Sequence, residues 1–228
     1  MPGTMKTTTK TALVTGANRG IGLALCRLLR QRGDAVVAVC RCPSPELEAL
    51  DTRVVADIDV TSDAGVATLA KTLAGTRLDL AILSAGILRD TGLDDLDMAD
   101  VREQLEVNAV GPLRVAQALL PNLVPGSKLA LITSRMGSIG DNGSGGAYGY
   151  RMSKAALNAA GMSLAIDLRP RGVAVAILHP GYVRTDMTGG GGNVDAGEAA
   201  QMLLARIDEL GLETTGRFLH ANGQPLPW

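Results

Sequence analysis

The stretch Thr11-Ala-Leu-Val-Thr15-Gly16-Ala-Asn-Arg-Gly20-Ile-Gly22 sets the architecture. Its first five residues form a short apolar run suited to a buried strand. After the glycines, Ile21, Leu25, Leu28 and Leu29 recur at helical spacing up to a stop at Gly33. The three glycines between strand and helix have separate uses. Gly16 permits a tight turn, Gly20 lets the backbone approach a pyrophosphate, and Gly22 lets helix and strand touch. The amino end of a helix entered this way turns free N–H groups towards an anion. The spacing is Gly-x-x-x-Gly-x-Gly rather than Gly-x-Gly-x-x-Gly, so the preceding strand and following helix carry the nucleotide reading.

Strand and helix keep alternating downstream. Apolar strands are predicted over residues 35–40, 54–56, 78–83, 128–133 and 173–178, with a last one near 217–220. Helices are predicted from a cap at Thr61 or Ser62 to about Leu73, over 94–107, over 108–120 up to Pro121, from Tyr150 to about Arg169, and over 196–210. This order implies an α/β fold: a single-domain, Rossmann-type, doubly wound parallel sheet of about seven strands with helices on both faces and ligands at its carboxyl edge.

With 228 residues, 46% of them apolar, the chain can bury one sizeable core. Residues 10–228 are expected to form that single domain, with residues 1–9 a flexible tail. The net charge is −1 and both signs are interspersed, which argues against a nucleic-acid partner or a membrane surface. Cys26, Cys40 and Cys42 have neither the spacing nor the histidine partners of a zinc site, so no metal is expected and the thiols read as reduced. The first ten residues lack the apolar core of a signal peptide, and no run approaches roughly 18 apolar residues. A cytoplasmic protein is the expectation.

Chemistry is suggested at several strand ends. Arg41 follows the second strand, where a dinucleotide fold meets the adenosine ribose; its planar fork suits a 2′-phosphate, which Arg19 could reach from the other side, so the expected cofactor is NADP(H). Asp59 could accept from an adenine amine or serve as a turn residue. The small residues Ser84, Ala85 and Gly86 would let a cofactor lie against the fourth strand. Ser134 ends the fifth strand, near the other hydroxyls Thr133 and Ser138. Tyr150 and Lys154 lie one helical turn apart, and a cation near a phenol favours proton transfer. Tyr148 has no lysine four residues on, and His179 reads as structural.

In order, Thr15-Gly-Ala-Asn-Arg-Gly-Ile-Gly22, Asp59-Val60, Ser84-Ala-Gly86, Asn108, Ser134, Tyr150-x-x-x-Lys154 and Pro180-Gly-x-x-x-Thr185 resemble the short-chain dehydrogenase/reductase family from Thr15 to Trp228. The resemblance implies reversible hydride transfer between a nicotinamide and an alcohol or carbonyl. It implies Tyr150 as general acid, Lys154 lowering its pKa and holding the nicotinamide ribose, Ser134 polarising the substrate carbonyl, and Asn108 positioning a relay water with Lys154. It extends the expected cofactor contacts to Asn18, Ile21, Val60, Pro180, Gly181, Val183 and Thr185. Family members often pair through two long helices, which implies a homo-oligomer, dimer or tetramer.

Ser84 stands where the family usually has Asn, and Asn142-Gly-Ser-Gly-Gly146 lengthens the interval from Ser134 to Tyr150. Ser134-Arg-Met-Gly-Ser-Ile139, Tyr148-Gly-Tyr-Arg-Met-Ser-Lys154 and the closing Pro225-Leu-Pro-Trp228 look most like the carbonyl-reductase and C-factor-like branch. A small ketone or aldehyde is the expected substrate, with an NADP(H)-binding regulatory or signalling protein of C-factor type as the alternative. Met136, Tyr148 and Tyr182, with Ile139 and Met187, are the candidate substrate walls. The run Gly189 to Gly192 predicts a short, mobile lid over an open, tolerant pocket.

Overall fold

The computed structural model describes residues 9–228; of the tail expected over residues 1–9, residues 1–8 lie outside that range. In chain order the elements are β1 (Thr11–Thr15), α1 (Gly20–Gln31), β2 (Ala35–Val39), α2 (Pro45–Glu48), β3 (Arg53–Val55), α3 (Asp63–Thr72), β4 (Leu78–Leu83) and α4 (Met98–Leu105). Then come a π-helical turn (Glu106–Val110), α5 (Gly111–Ala118), β5 (Leu123–Ile132), α6 (Tyr148–Leu168), β6 (Ala174–His179), α7 (Ala196–Glu209) and β7 (Phe218–His220). The strands form one sheet in the order β3-β2-β1-β4-β5-β6-β7, every pair parallel. The order reverses between β1 and β4, and a crevice opens there at the carboxyl ends.

Both faces of the sheet are covered, which explains the unbroken apolar strands. Val14 and Ile82 pack on one face with Leu25 and Leu29 of α1 and Leu203 and Ile207 of α7. Leu13 and Ala81, one residue out of phase, pack on the other with Leu69 of α3, Val115 of α5 and Leu157 of α6. The period of two along a strand thus feeds two cores at once.

Element boundaries differ from expectation where backbone irregularities intervene. β5 begins at Leu123, which pairs with Leu78 before a shift of register; Gly126, at φ 92°, lets the strand resume at Lys128. β3 ends at Val55 rather than Ala56, just ahead of Asp57 at φ 59°. The two helices expected on either side of Asn108 are one continuous helical run with the π-helical turn in its middle, started by Asp97, whose side chain accepts from Ala99 N. Ser62, not Thr61, caps α3. Residues 189–192, expected as a mobile lid, fold back as a hydrogen-bonded turn. Thr188 Oγ1 lies within 3.0 Å of the carbonyl oxygens of Val183, Thr185 and Gly191, its single proton serving one of them at a time, and Val183 pairs with Val194.

Candidate active site

The crevice at the switch point is a cavity of about 440 Å³. At one end lies the β1–α1 turn. Gly16 adopts φ 66°, and a side chain there would meet Ala85 Cα at 2.9 Å; a methyl at Gly22 would overlap the Gly16 carbonyl oxygen. Backbone is therefore packed on backbone, with no room for side chains. The amino end of α1 also stands apart from α3, α4 and α7, whose ends are capped by Ser62, Asp97 and Asp195: its N-cap, Arg19, makes no side-chain cap and its first turn carries no acid. Its N–H groups open onto the cavity, an arrangement that fits a pyrophosphate.

Arg41 lines the same end, and its guanidinium, among the described residues, makes no ion pair or hydrogen bond; its carbonyl accepts from Asp57 N. Arg19 faces the cavity but is drawn towards Asp186 on the opposite rim, 3.5 Å away with both groups exposed. Asp59 spends its Oδ1 on Thr61 N and Oγ1, bonds that hold its carboxyl below the usual range. It is a turn residue whose other oxygen carries no hydrogen bond among the described residues. Ser84 N and Ala85 N both donate to Thr15 Oγ1, which binds the small-residue segment to β1 without any longer side chain at position 84. These residues fit a dinucleotide carrying a 2′-phosphate.

At the other end, Ser134, Tyr150 and Lys154 converge. Ser134 is buried, and its Oγ accepts from Met136 N at 3.2 Å, starting a tight turn. The neighbouring hydroxyls are committed elsewhere. Thr133 Oγ1 donates to Asn158 Oδ1 at 2.6 Å; Ser138 Oγ donates to the Trp228 carbonyl and accepts from Asp141 N. Burial pushes the Tyr150 phenol above its ordinary pKa, and a polar contact with the Ser134 hydroxyl pulls it partly back. Lys154 lies 5.6 Å from the centre of the Tyr150 ring and donates to the Ile132 carbonyl at 3.1 Å. Burial takes its pKa from the ordinary 10.5 down to about 8. Lys154 was expected to lower the pKa of the phenol; here the ammonium sits over the ring, and desolvation is the first cause of the phenol's shift.

Asn108 is fully buried in the π-helical turn. Its Oδ1 accepts from Ile87 N at 2.8 Å, and its Nδ2 donates to Ile87 O at 2.9 Å and Ser153 Oγ at 3.0 Å. The side chain thus clamps the segment after β4 to α6, while Oδ1, which accepts one bond here, keeps a second lone pair. His179 is half-buried, edge-on to His220 with 5.0 Å between ring centres, and desolvation lowers its pKa to about 3.

Of the other expected cofactor contacts, Gly16, Asn18, Gly20, Ile21, Gly22, Val60, Gly86, Pro180 and Thr185 line the cavity; Gly181 and Val183 instead shape the turn behind it. Met187 lines the cavity, but Met136, Tyr148 and Tyr182 do not. Tyr148 lies two helical positions before Tyr150, roughly 200° around α6, and so faces outward. Tyr182 is exposed against the glycine turn. Sequence reasoning missed Ile87, Arg89 and Glu103. Ile87, next to Gly86, was within reach of motif reading, whereas the pair Arg89 Nη2–Glu103 Oε2 at 3.3 Å joins two elements and left no local signal.

Among the described residues, no three His, Cys, Asp or Glu side chains gather as a metal site, and no helix is long and apolar enough to cross a membrane. The short chain dehydrogenase family profile matches residues 10–193. A 1-hydroxy-2-glutathionyl-2-methyl-3-butene dehydrogenase from Rhodococcus sp. strain AD45 is 42% identical over 224 residues, 96% of this chain and 99% of its own, so that likeness runs on past residue 193. C-signal from Myxococcus xanthus is 46% identical over 154 residues, 66% of this chain and 93% of its own. The NADPH-bound carbonyl reductase from chicken fatty liver superposes with a TM-score of 0.86 at 32% identity, covering 96% of this chain and 99% of that one.

Proposed function

This chain belongs to the short-chain dehydrogenase family, and from that premise we propose that it is an NADP(H)-dependent reductase of ketones or aldehydes. The observation that carries the reading is Tyr150 and Lys154 at one end of a cavity, with Ser134 behind them in polar contact with the phenol, while the other end has an uncapped helix terminus and an Arg41 guanidinium without a partner among the described residues. Arg41 would hold the 2′-phosphate and the α1 amides the pyrophosphate. Lys154 would anchor the nicotinamide ribose. Bound there, NADPH supplies a hydride to the carbonyl carbon. The Ser134 hydroxyl donates to the carbonyl oxygen and orients it. The Tyr150 phenol, protonated near neutral pH as an ordinary phenol is, passes its proton to that oxygen as the alcohol forms, and takes it back in the reverse direction.

The reading carries with it a cytoplasmic enzyme with one catalytic domain over residues 10–228. It also carries a homo-oligomer paired through α5 and α6, whose outer faces expose Leu113, Met152, Met162 and Ile166; size-exclusion chromatography with light scattering tests the last point. A carbonyl panel assayed with NADPH and NADH, for wild type and Tyr150→Phe, tests the activity. Brisk NADPH oxidation by wild type alone supports it; equal rates in both proteins reject it. The likeness to C-signal favours a second reading, an NADP(H)-binding regulator. Tight NADPH binding with slow turnover across the whole panel would move the assignment there.

A further inference from the structure

We propose that Arg151 is a positioning residue, holding the Ser134 and Tyr150 hydroxyls at their working separation by clamping the loop between them. The inference rests on the reading of those two residues as the catalytic pair. Arg151 follows Tyr150 in the first turn of α6, about 100° further round the helix, so the phenol faces the cavity while the guanidinium faces the loop. Its Nε donates to the carbonyls of Gly145 and Gly146 at 3.2 and 3.1 Å, Nη2 to Ser144 Oγ at 2.8 Å, and Nη1 to the Met136 carbonyl at 3.5 Å. One planar fork thus gathers oxygens from both ends of the loop, a geometry a point charge does not reproduce.

The loop needs such a tie. Gly145, Gly146 and Ala147 take φ of 64°, 65° and 47° in succession, and Ala147 carries a Cβ that disfavours this conformation. The run 142–146 is glycine-rich and gains no buried apolar side chain that would order it. Ser134 belongs to the same unit, because its Oγ accepts from the N–H of Met136, whose carbonyl Arg151 holds. Releasing the guanidinium frees Met136 and the loop together, and with them the Ser134 hydroxyl.

Arg151→Met tests the proposal by steady-state kinetics, NADPH titration and amide hydrogen exchange. The expected result is a kcat lower by roughly 10- to 100-fold, the scale of a misplaced reacting group. KM and the NADPH Kd should stay within about twofold of wild type at full NADPH-binding stoichiometry, which a smaller folded fraction would lower, and amides of residues 143–147 should exchange faster while those of mid-α6 do not. Arg151→Lys should not restore kcat. Should Arg151→Met fail to fold, Arg151→Gln, which keeps a planar amide, should give an intermediate loss. Wild-type kcat in the folded variant, or unchanged loop exchange, overturns the proposal. If Tyr150→Phe keeps its turnover, the catalytic reading fails instead, and the exchange measurement still reports whether Arg151 holds the loop.

Discussion

At the β1–α1 end of the cavity the proposed binding groups are backbone amides from one contiguous stretch with the Arg41 guanidinium beside them, whereas at the α6 end the proposed working groups are side chains from α6 and the turn after β5, braced by the π-helical turn. The first end is open, with Arg19 exposed and weakly tethered to Asp186; the second buries Ser134 and Lys154 to 6% and 5% exposure. Backbone recognition of a phosphate needs only a turn and a helix start, so it tolerates solvent. Proton transfer needs shifted acidities, and here the shifts of Tyr150 and Lys154 both come first from desolvation. One cavity therefore joins a binding end set by local conformation to a chemical end set by packing.

Breaking the chemical end alone should have the largest effect. Tyr150→Phe is expected to lower kcat by roughly 10²- to 10⁴-fold, the scale of general acid catalysis, with NADPH affinity unchanged by fluorescence titration. Breaking the binding end through its backbone comes next. Gly22→Ala forces a methyl onto the Gly16 carbonyl, and a loss of about 3 kcal/mol of stability, seen in thermal melts, should accompany weakened NADPH binding. Arg41→Asp should leave stability intact and move the NADPH-to-NADH preference by ~10- to 100-fold, the value of hydrogen bonds to a charged group. An unchanged ratio would mean that the 2′-phosphate is held elsewhere.

The buried end should also respond to pH where the open end does not. Lys154 has its pKa lowered from 10.5 to about 8, so between those values the unfolded chain binds a proton that the folded chain has released. Stability of the cofactor-free protein should rise from pH 8 towards 10.5, by at most about 1.4 kcal/mol per pH unit, and the gain should be lost as pH falls through 8. Turnover should fall over the same rise as the ammonium is lost, and urea melts of Lys154→Met should show a flatter profile. The smallest effect is expected at the open rim: Asp186→Ala removes an exposed pair and should change stability by less than about 1 kcal/mol.

Legibility followed the same divide. The strand, glycine turn and helix over residues 11–31 were readable because their signals are adjacent in the chain. Tyr150 and Lys154 were readable because helical periodicity puts them on one face. Ser134 is favoured over Thr133 and Ser138 by its place at the strand end and by the family resemblance, with some ambiguity because all three are small and polar; the structure adds that Asn158 and the Trp228 carbonyl engage the other two. Tyr148 and Tyr182 looked like pocket walls because aromatic side chains near a site usually are, but α6 turns the first away from the cavity and the glycine turn leaves the second exposed.

By itself, then, the order of residues determined the doubly wound sheet, the nucleotide turn and the Tyr150–Lys154 pair, because each arises from periodicity and local conformation. Tertiary structure alone decided that Asn108 clamps the segment after β4 to α6, that desolvation is the first cause of the shift at Tyr150, and that one guanidinium ties the long loop to α6. Those outcomes depend on which groups meet across the fold and on how much water is left between them, quantities that no spacing along the chain encodes.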